Sequence, residues 1–64
     1  MNDDNLRKMV RHMKVFQNIS YREIAELLEI QYCSMYSWLE GRYNFSTERK
    51  KHLYQIIQDL YFEE

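Results

Sequence analysis

The sequence predicts a small all-α domain, a bundle of four or five helices, and three observations support that prediction. The chain of 64 residues has no proline and a single glycine, Gly41, so its backbone contains almost no helix-breaking or tight-turn residues. Apolar residues recur at three- and four-residue spacing over most of the chain, which is the period of amphipathic helices. A chain of this length forms one domain, 1–64, and buries only about 60% of the surface that its unfolded form exposes.

The composition excludes several classes of function. Hydrophobic residues make up 45% of the chain, which is ample for a globular core. A single cysteine, Cys33, excludes an internal disulfide, and with only His12 and His52 beside it no zinc site can be built. No nucleophile–base pair or paired carboxylates stand out, so we expect no enzyme, no catalytic residue, no metal and no cofactor. The start MNDDN is not a secretory signal and no apolar run reaches about 18 residues, which predicts a cytoplasmic protein without a membrane partner.

The distribution of charge matters more than its sum. A net charge of −1 argues against nucleic-acid binding. Five of the ten acidic residues lie at the chain ends, however, so residues 5–58 carry nine basic and five acidic side chains, or +4. The basic residues form two blocks, and each block alone indicates only a solvated helix face. The blocks are Arg7, Lys8, Arg11 and Lys14, and Arg42, Arg49, Lys50 and Lys51.

Two longer helices are predicted near the ends of the chain. Asp3 or Asp4 caps the first helix, which runs to about Val15. Ser46 or Thr47 caps the last helix, whose first turns hold basic residues that oppose the helix dipole and therefore indicate a use other than stability. Their apolar stripes are Leu6, Met9, Val10 and Met13 in the first helix, and Leu53, Ile56, Ile57 and Leu60 in the last.

Two short helices are predicted between them. Ser20 and Glu23 form a capping box that opens the first of the two, which ends near Glu29. The next covers about residues 32–40, and Gly41 is suited to end it because glycine adopts positive φ without strain. The inward-facing residues are Ile24, Ala25 and Leu28 in the first short helix, and Met35, Trp38 and Leu39 in the second.

The short connection between these two helices predicts a helix-turn-helix over about residues 20–41. Ala25 permits a close crossing of the helices, because a larger side chain would hold them apart. A turn of three or four residues at about 90–120° presents the outer face of the second helix as a ridge. Such a ridge has the right width for the major groove of DNA.

The segment REIAELLEIQYCSMYSWLEGRYNFS resembles the helix-turn-helix core of the Cro/C1 (XRE-type) repressor family, over about residues 19–60. The places of the family pattern are filled by Ala25, Met35, Trp38, Glu40-Gly41-Arg42 and Ser46. The resemblance implies a lambda-repressor-like helical bundle, DNA binding and frequent dimerisation. The segment departs from the family in having Glu29 where the turn glycine stands and Tyr21 where a glutamine often contacts DNA. The helix in the place of the family's recognition helix, about residues 32–40, also lacks Arg, Lys and Asn.

If the third helix enters the major groove, its outward residues read the bases. Gln31 can bond to adenine, Ser37 can bond to any base, and Tyr36 can press on a thymine methyl group. The predicted base-reading residues are Gln31, Tyr32, Cys33, Tyr36 and Ser37. The predicted phosphate contacts are Tyr21, Arg22, Arg42, Lys50 and Lys51. Apolar residues in excess of one helix stripe predict a homodimer interface of Tyr54, Tyr61 and Phe62.

Two functions fit these residues. The first is a sequence-specific transcriptional regulator, a small repressor of phage or mobile-element type that binds double-stranded DNA as a dimer. The second is a protein-binding module, an inhibitor or antirepressor whose tyrosine-rich third helix docks on a protein partner, since exposed tyrosine is enriched in interfaces. The missing Arg, Asn and Gln within the helix, together with the net charge of −1, favour the second function, and the basic blocks on either side favour the first.

Overall fold

The computed structural model describes residues 2–61, and it confirms the prediction of a small all-α bundle. Within that range the chain forms four helices and no strand. They are α1 (Asp3–Gln17), α2 (Tyr21–Leu28), α3 (Tyr32–Leu39) and α4 (Thr47–Tyr61). None of these helices is long and apolar enough to cross a membrane.

The N-cap of α1 is Asn2, so the predicted cap at Asp3 or Asp4 is wrong. The Oδ1 atom of Asn2 accepts a hydrogen bond from the backbone N–H of Asn5 at 2.8 Å. Asp3 lies within the first turn, and its carboxylate is used elsewhere. The helix continues two residues past the predicted end at Val15 and closes at Asn18, which has φ of 57°. Asparagine tolerates this left-handed conformation better than most residues.

The start of α2 and its end near Glu29 are as predicted. Ser20 and Glu23 form the predicted capping box at the start of α2. The C-cap of α2 is Glu29, whose φ of 63° puts a non-glycine residue in the left-handed region. The backbone N–H of Ile30 then donates to the carbonyl of Ala25 at 3.0 Å, which satisfies a carbonyl at the end of the helix. The tight turn therefore forms at a strain cost of about 1–2 kcal/mol.

The predicted C-terminal glycine of α3 and the predicted N-cap of α4 are also present. Gly41 follows α3 with φ of 84°, as predicted for a glycine that ends the helix. The hydroxyl of Ser46 accepts a hydrogen bond from the N–H of Arg49 at 3.2 Å and so caps the first turn of α4.

The core lies where all four helices meet. The predicted inner residues of α2 and α3 are buried, and Trp38 is fully buried. Complete burial of a leucine, isoleucine, valine or methionine side chain contributes about 1.5–3 kcal/mol. The fully buried large side chains are Trp38, Leu6, Met13, Ile24, Met35, Leu53 and Val10. Because the inner side of α3 is held in this core, its opposite side faces outward.

Candidate nucleic-acid interface

The outward side of α3 carries the five predicted base-reading residues, and we call this surface the α3 face: Gln31, Tyr32, Cys33, Tyr36 and Ser37. Four of these residues are exposed, and Ser37 is half-buried. The two tyrosines keep 41% and 49% of their surface in contact with solvent, for Tyr32 and Tyr36 respectively. The α3 face is therefore a ridge of aromatic and uncharged polar groups.

Gln31 stands at the start of this ridge, in the N-cap position of α3. Instead of capping the helix with its side chain, Gln31 accepts a hydrogen bond from Cys33 Sγ at its Oε1 atom, over 3.5 Å. Thiols are weak donors, so this contact orients the carboxamide with little energy. The remaining lone pair on Oε1 and the two N–H groups of the amide stay usable by another molecule.

The tyrosines belong to a chain of contacts that reaches α2. The guanidinium carbon of Arg22 lies 5.0 Å from the centroid of the Tyr32 ring, an arrangement worth about 0.5–1 kcal/mol at an exposed site. The Tyr32 and Tyr36 rings follow one another along α3, with centroids 6.4 Å apart. Tyr43 makes a separate contact with α3, in which its hydroxyl donates to the carbonyl of Ser34 at 3.0 Å. A positive charge from α2 is thus held beside the α3 face.

The C-terminal end of α3 is fixed by two arginines of α1. Arg7 Nε donates to the carbonyl of Trp38 and Arg11 Nη2 to the carbonyl of Leu39, each at 2.6 Å. Cations stabilise the C-terminal end of a helix. The last turn of α3 has no basic residue of its own, so the two arginines of α1 supply the positive charge there. Arg7 is only 8% exposed and also donates to the carbonyl of Tyr43 at 2.9 Å. Its side chain is therefore structural, although the sequence indicated only a solvated block.

Asp3 is the second residue whose role the sequence analysis missed. Its side chain is 7% exposed, and Oδ1 accepts hydrogen bonds from Trp38 Nε1 at 2.8 Å and from the Phe45 N–H at 3.0 Å. Its Oδ2 lies 3.4 Å from Lys50 Nζ. We call these four residues the Asp3 cluster. Burial by itself raises the pKa of the Asp3 carboxyl, but the contacts to Trp38, Phe45 and Lys50 outweigh burial and leave that pKa below its usual value.

Of the predicted phosphate contacts, Arg22 is the one that touches the α3 face. Tyr21 is half-buried, and its ring packs against the core. The ammonium of Lys14 lies 5.1 Å from the centroid of the Tyr21 ring. Of the first two residues of α2, Arg22 is therefore exposed and Tyr21 is half-buried.

The other three predicted phosphate contacts have different surroundings. Arg42 follows α3 directly; its side chain is 71% exposed and pairs with Glu40 at 3.0 Å. Lys50 belongs to the Asp3 cluster, so its charge is already matched inside the protein. Lys51 is exposed on α4 and borders a shallow cleft that Thr47, Lys50 and Tyr54 also line. The structure thus brings Arg22 and Arg42 close to α3 in space or sequence, and it places Lys50 and Lys51 together on α4.

One of the three predicted dimer-interface residues has a described side chain. Tyr54 is half-buried and packs against the core, and its hydroxyl accepts a hydrogen bond from Gln58 Nε2 at 2.7 Å. The side chain of Tyr61 and the whole of Phe62 lie outside the described residues. The homodimer therefore stays a prediction.

Comparison with known proteins gives no match among family models, curated protein sequences or solved structures. The resemblance of residues 19–60 to the Cro/C1 family accordingly stays a prediction. The function has to be argued from the side chains of the α3 face and the charges around it.

Proposed function

We propose that this protein is a sequence-specific DNA-binding transcriptional regulator, a small repressor whose α2 and α3 act as a helix-turn-helix. The observation that supports this proposal most directly is the fixed, outward position of the α3 face. Its helix is buried along one side through Met35 and Trp38, and its C-terminal carbonyls are bound by Arg7 and Arg11. A base-reading helix needs such rigidity, because each hydrogen bond to a base edge depends on position.

The phosphate contacts follow from the charges next to α3. Arg22 and Arg42 are exposed, and each is engaged only by a weak surface contact, to Tyr32 and Glu40 respectively. An exposed ion pair contributes about 0–1 kcal/mol, so Arg42 can exchange Glu40 for a phosphate at little cost. Lys50 would have to leave a buried carboxylate, which is more expensive. We therefore propose Arg22 and Arg42 as the main phosphate contacts, with Lys51 next.

Selection from a randomised duplex library at moderate salt tests this function. An enriched inverted repeat is expected, because the regulator is proposed to bind as a dimer, and the half-site spacing would report the dimer geometry. An enriched single half-site would support DNA binding and contradict the proposed dimer. No enrichment by the folded protein would remove the proposed function.

Charge reversal then tests the footprint. Arg22→Glu and Arg42→Glu should weaken binding to every duplex and lower the slope of log affinity against log salt by about 1 per lost phosphate contact. Lys8→Glu is the matched control, since Lys8 is exposed on α1 and makes no described contact with α3. Equal effects of all three reversals would mean that only the net charge matters and that the footprint is wrong.

The protein-binding module is the second candidate, and the uncharged character of the α3 face is the observation that favours it. Tyr32, Tyr36 and Tyr43 are all exposed large aromatic residues, and such residues are common in protein interfaces. A tyrosine-centred interface would respond weakly to salt, whereas DNA binding weakens steeply. The salt titration described above therefore separates the two functions.

A further inference from the structure

We infer that the α3 face selects A·T over G·C base pairs, an inference that rests on the proposed function and adds the class of DNA that the site reads. The exposed groups of this face are one carboxamide, two phenol rings and a thiol, from Gln31, Tyr32, Tyr36 and Cys33. A half-buried hydroxyl, that of Ser37, completes it. These groups match the major-groove edge of A·T pairs better than that of G·C pairs.

The guanine edge is usually bound by a cationic donor, and the α3 face carries no cation. In the major groove guanine presents two acceptors, N7 and O6, which Arg or Lys usually binds. Residues 31–39 contain no Arg and no Lys. The nearest cations, Arg22 and Arg42, lie beside the face and are the proposed phosphate contacts, so neither is counted among its base-reading groups. The cytosine edge offers a donor that carboxylates usually accept, and residues 31–39 contain no Asp and no Glu.

The adenine edge matches the carboxamide of Gln31. Adenine presents an acceptor, N7, beside a donor, the N6 amino group, and a carboxamide binds both at once. The contact from Cys33 Sγ occupies one lone pair of Gln31 Oε1 and helps to hold the plane of the amide. The second lone pair can accept from N6 while Nε2 donates to N7. Cys33 is thus a positioning residue for this contact.

The thymine edge matches the two tyrosine rings. Thymine is distinguished in the major groove by its C5-methyl group, which apolar surfaces contact. The Tyr32 and Tyr36 rings are exposed, and their centroids are 6.4 Å apart along α3. This distance is about two base-pair steps of ~3.4 Å each. The rings can therefore contact methyl groups at the two ends of a run of about three base pairs.

Base analogues in the selected duplex test this inference directly, with affinity measured by fluorescence anisotropy at fixed salt. Replacing thymine by uracil removes only the methyl group and should weaken binding by about fourfold per contacted position. Replacing adenine by 7-deazaadenine removes N7 and should weaken binding by about tenfold at the position that Gln31 reads. Replacing A·T by inosine·cytosine pairs keeps the minor groove of A·T and gives the major groove the pattern of G·C.

The inosine·cytosine duplex decides where the sequence is read. Strongly reduced binding to it supports reading of the major groove by α3. Binding equal to that of the A·T duplex would overturn the inference, because the minor groove or the shape of the duplex would then carry the preference. Selection of a G·C half-site would also overturn it, although the proposed function would stand. If the folded protein retains no duplex at all, the proposed function fails and the inference falls with it.

Variants link each analogue to a side chain. Gln31→Ala should weaken binding to the adenine duplex by about tenfold and should lose no further affinity when adenine is replaced by 7-deazaadenine. Tyr36→Phe keeps the ring and should preserve the loss caused by uracil, whereas Tyr36→Ala should abolish it. Gln31 and Tyr36 are exposed, so all three variants should fold, and helical circular dichroism verifies this. An unchanged analogue response in Gln31→Ala and Tyr36→Ala would overturn the assignment.

Discussion

Trp38 donates a hydrogen bond from its indole Nε1 to Asp3 Oδ1 at 2.8 Å, across 35 residues of sequence. The same oxygen accepts from the backbone N–H of Phe45, whose ring stacks on Trp38 with centroids 4.3 Å apart. One buried carboxylate thus connects the start of α1, the last turn of α3 and the segment that leads into α4. The position of the α3 face therefore depends on a residue of α1 that does not belong to that face.

Removing the Asp3 carboxylate should destabilise the protein in two distinguishable steps. Asp3→Asn keeps an oxygen that can accept from Trp38 and Phe45 but loses the charge opposite Lys50, so we expect a loss of about 1 kcal/mol. Asp3→Ala leaves both donors buried without a partner and should cost about 3 kcal/mol. Urea unfolding followed by circular dichroism measures both. Glu26→Ala is the control, since Glu26 is exposed and makes no described side-chain contact, and equal losses for all three variants would contradict the role of the Asp3 cluster.

The lowered pKa of Asp3 predicts a loss of stability in acid. Because the folded-state pKa lies below the unfolded value of about 3.9, the carboxylate stabilises the fold at pH values above 3.9. That contribution disappears as the pH falls below about 4 and through the folded-state pKa. Urea midpoints measured from about pH 6 down to about pH 2 should therefore fall less steeply in Asp3→Asn than in the unchanged protein. Parallel curves for the two proteins would show that other carboxyl groups cause the acid response.

Arg7 should be more important for stability than its place in a basic block suggests. Arg7→Met keeps much of the side-chain volume but leaves the carbonyl of Tyr43 without this donor and removes one from Trp38, which predicts a loss of about 3 kcal/mol. Arg7→Lys should recover little, because an ammonium cannot reproduce the spread of the guanidinium donors. Lys8→Met, at an exposed neighbour, should change the unfolding free energy by less than about 0.5 kcal/mol. Full recovery by lysine would mean that only charge matters at position 7.

Glycine at position 29 should stabilise the protein. Glu29 has φ of 63° at the C-cap of α2, and glycine adopts this conformation without the steric cost that a side chain brings. We expect Glu29→Gly to raise the free energy of unfolding by about 1 kcal/mol, whereas Glu26→Gly, inside α2, should lower it by about 1 kcal/mol. Thermal unfolding of both variants measures the difference. A destabilised Glu29→Gly would indicate that the glutamate side chain makes a contribution that outweighs the strain.

Local features of the fold could be predicted from the sequence. The capping box of Ser20 and Glu23 and the role of Gly41 depend on a few neighbouring residues, and both are confirmed. The burial of Trp38 and Met35 follows from helical periodicity alone. The cap of α1 could not be decided in this way, because Asn2, Asp3 and Asp4 are all suitable caps. A distant partner, the indole of Trp38, engages Asp3 instead.

The residues that hold the end of α3 in place act through contacts between parts of the chain that are far apart in sequence. The sequence analysis therefore did not predict their role. Arg7 and Arg11 reach the end of α3 only after α1 has packed beside it, and periodicity says nothing about which helix end lies nearby. Two signals were nevertheless present in the sequence. Arg7 and Arg11 are neighbours of Leu6 and Val10 on the apolar stripe, and α3 has no basic residue in its last turn.

The Asp3 cluster also has a consequence for the order of folding. Asp3 is separated from Trp38 by 35 positions and from Phe45 by 42. Forming these contacts first would therefore close a long loop before α2 and α3 had packed. We expect the neighbouring pair α2–α3 to form the nucleus and α1 to dock through Asp3 after the transition state. In stopped-flow measurements Asp3→Asn should then speed unfolding and leave the refolding rate nearly unchanged. The lifetime of the folded state, rather than the speed of reaching it, would then depend on this single carboxylate.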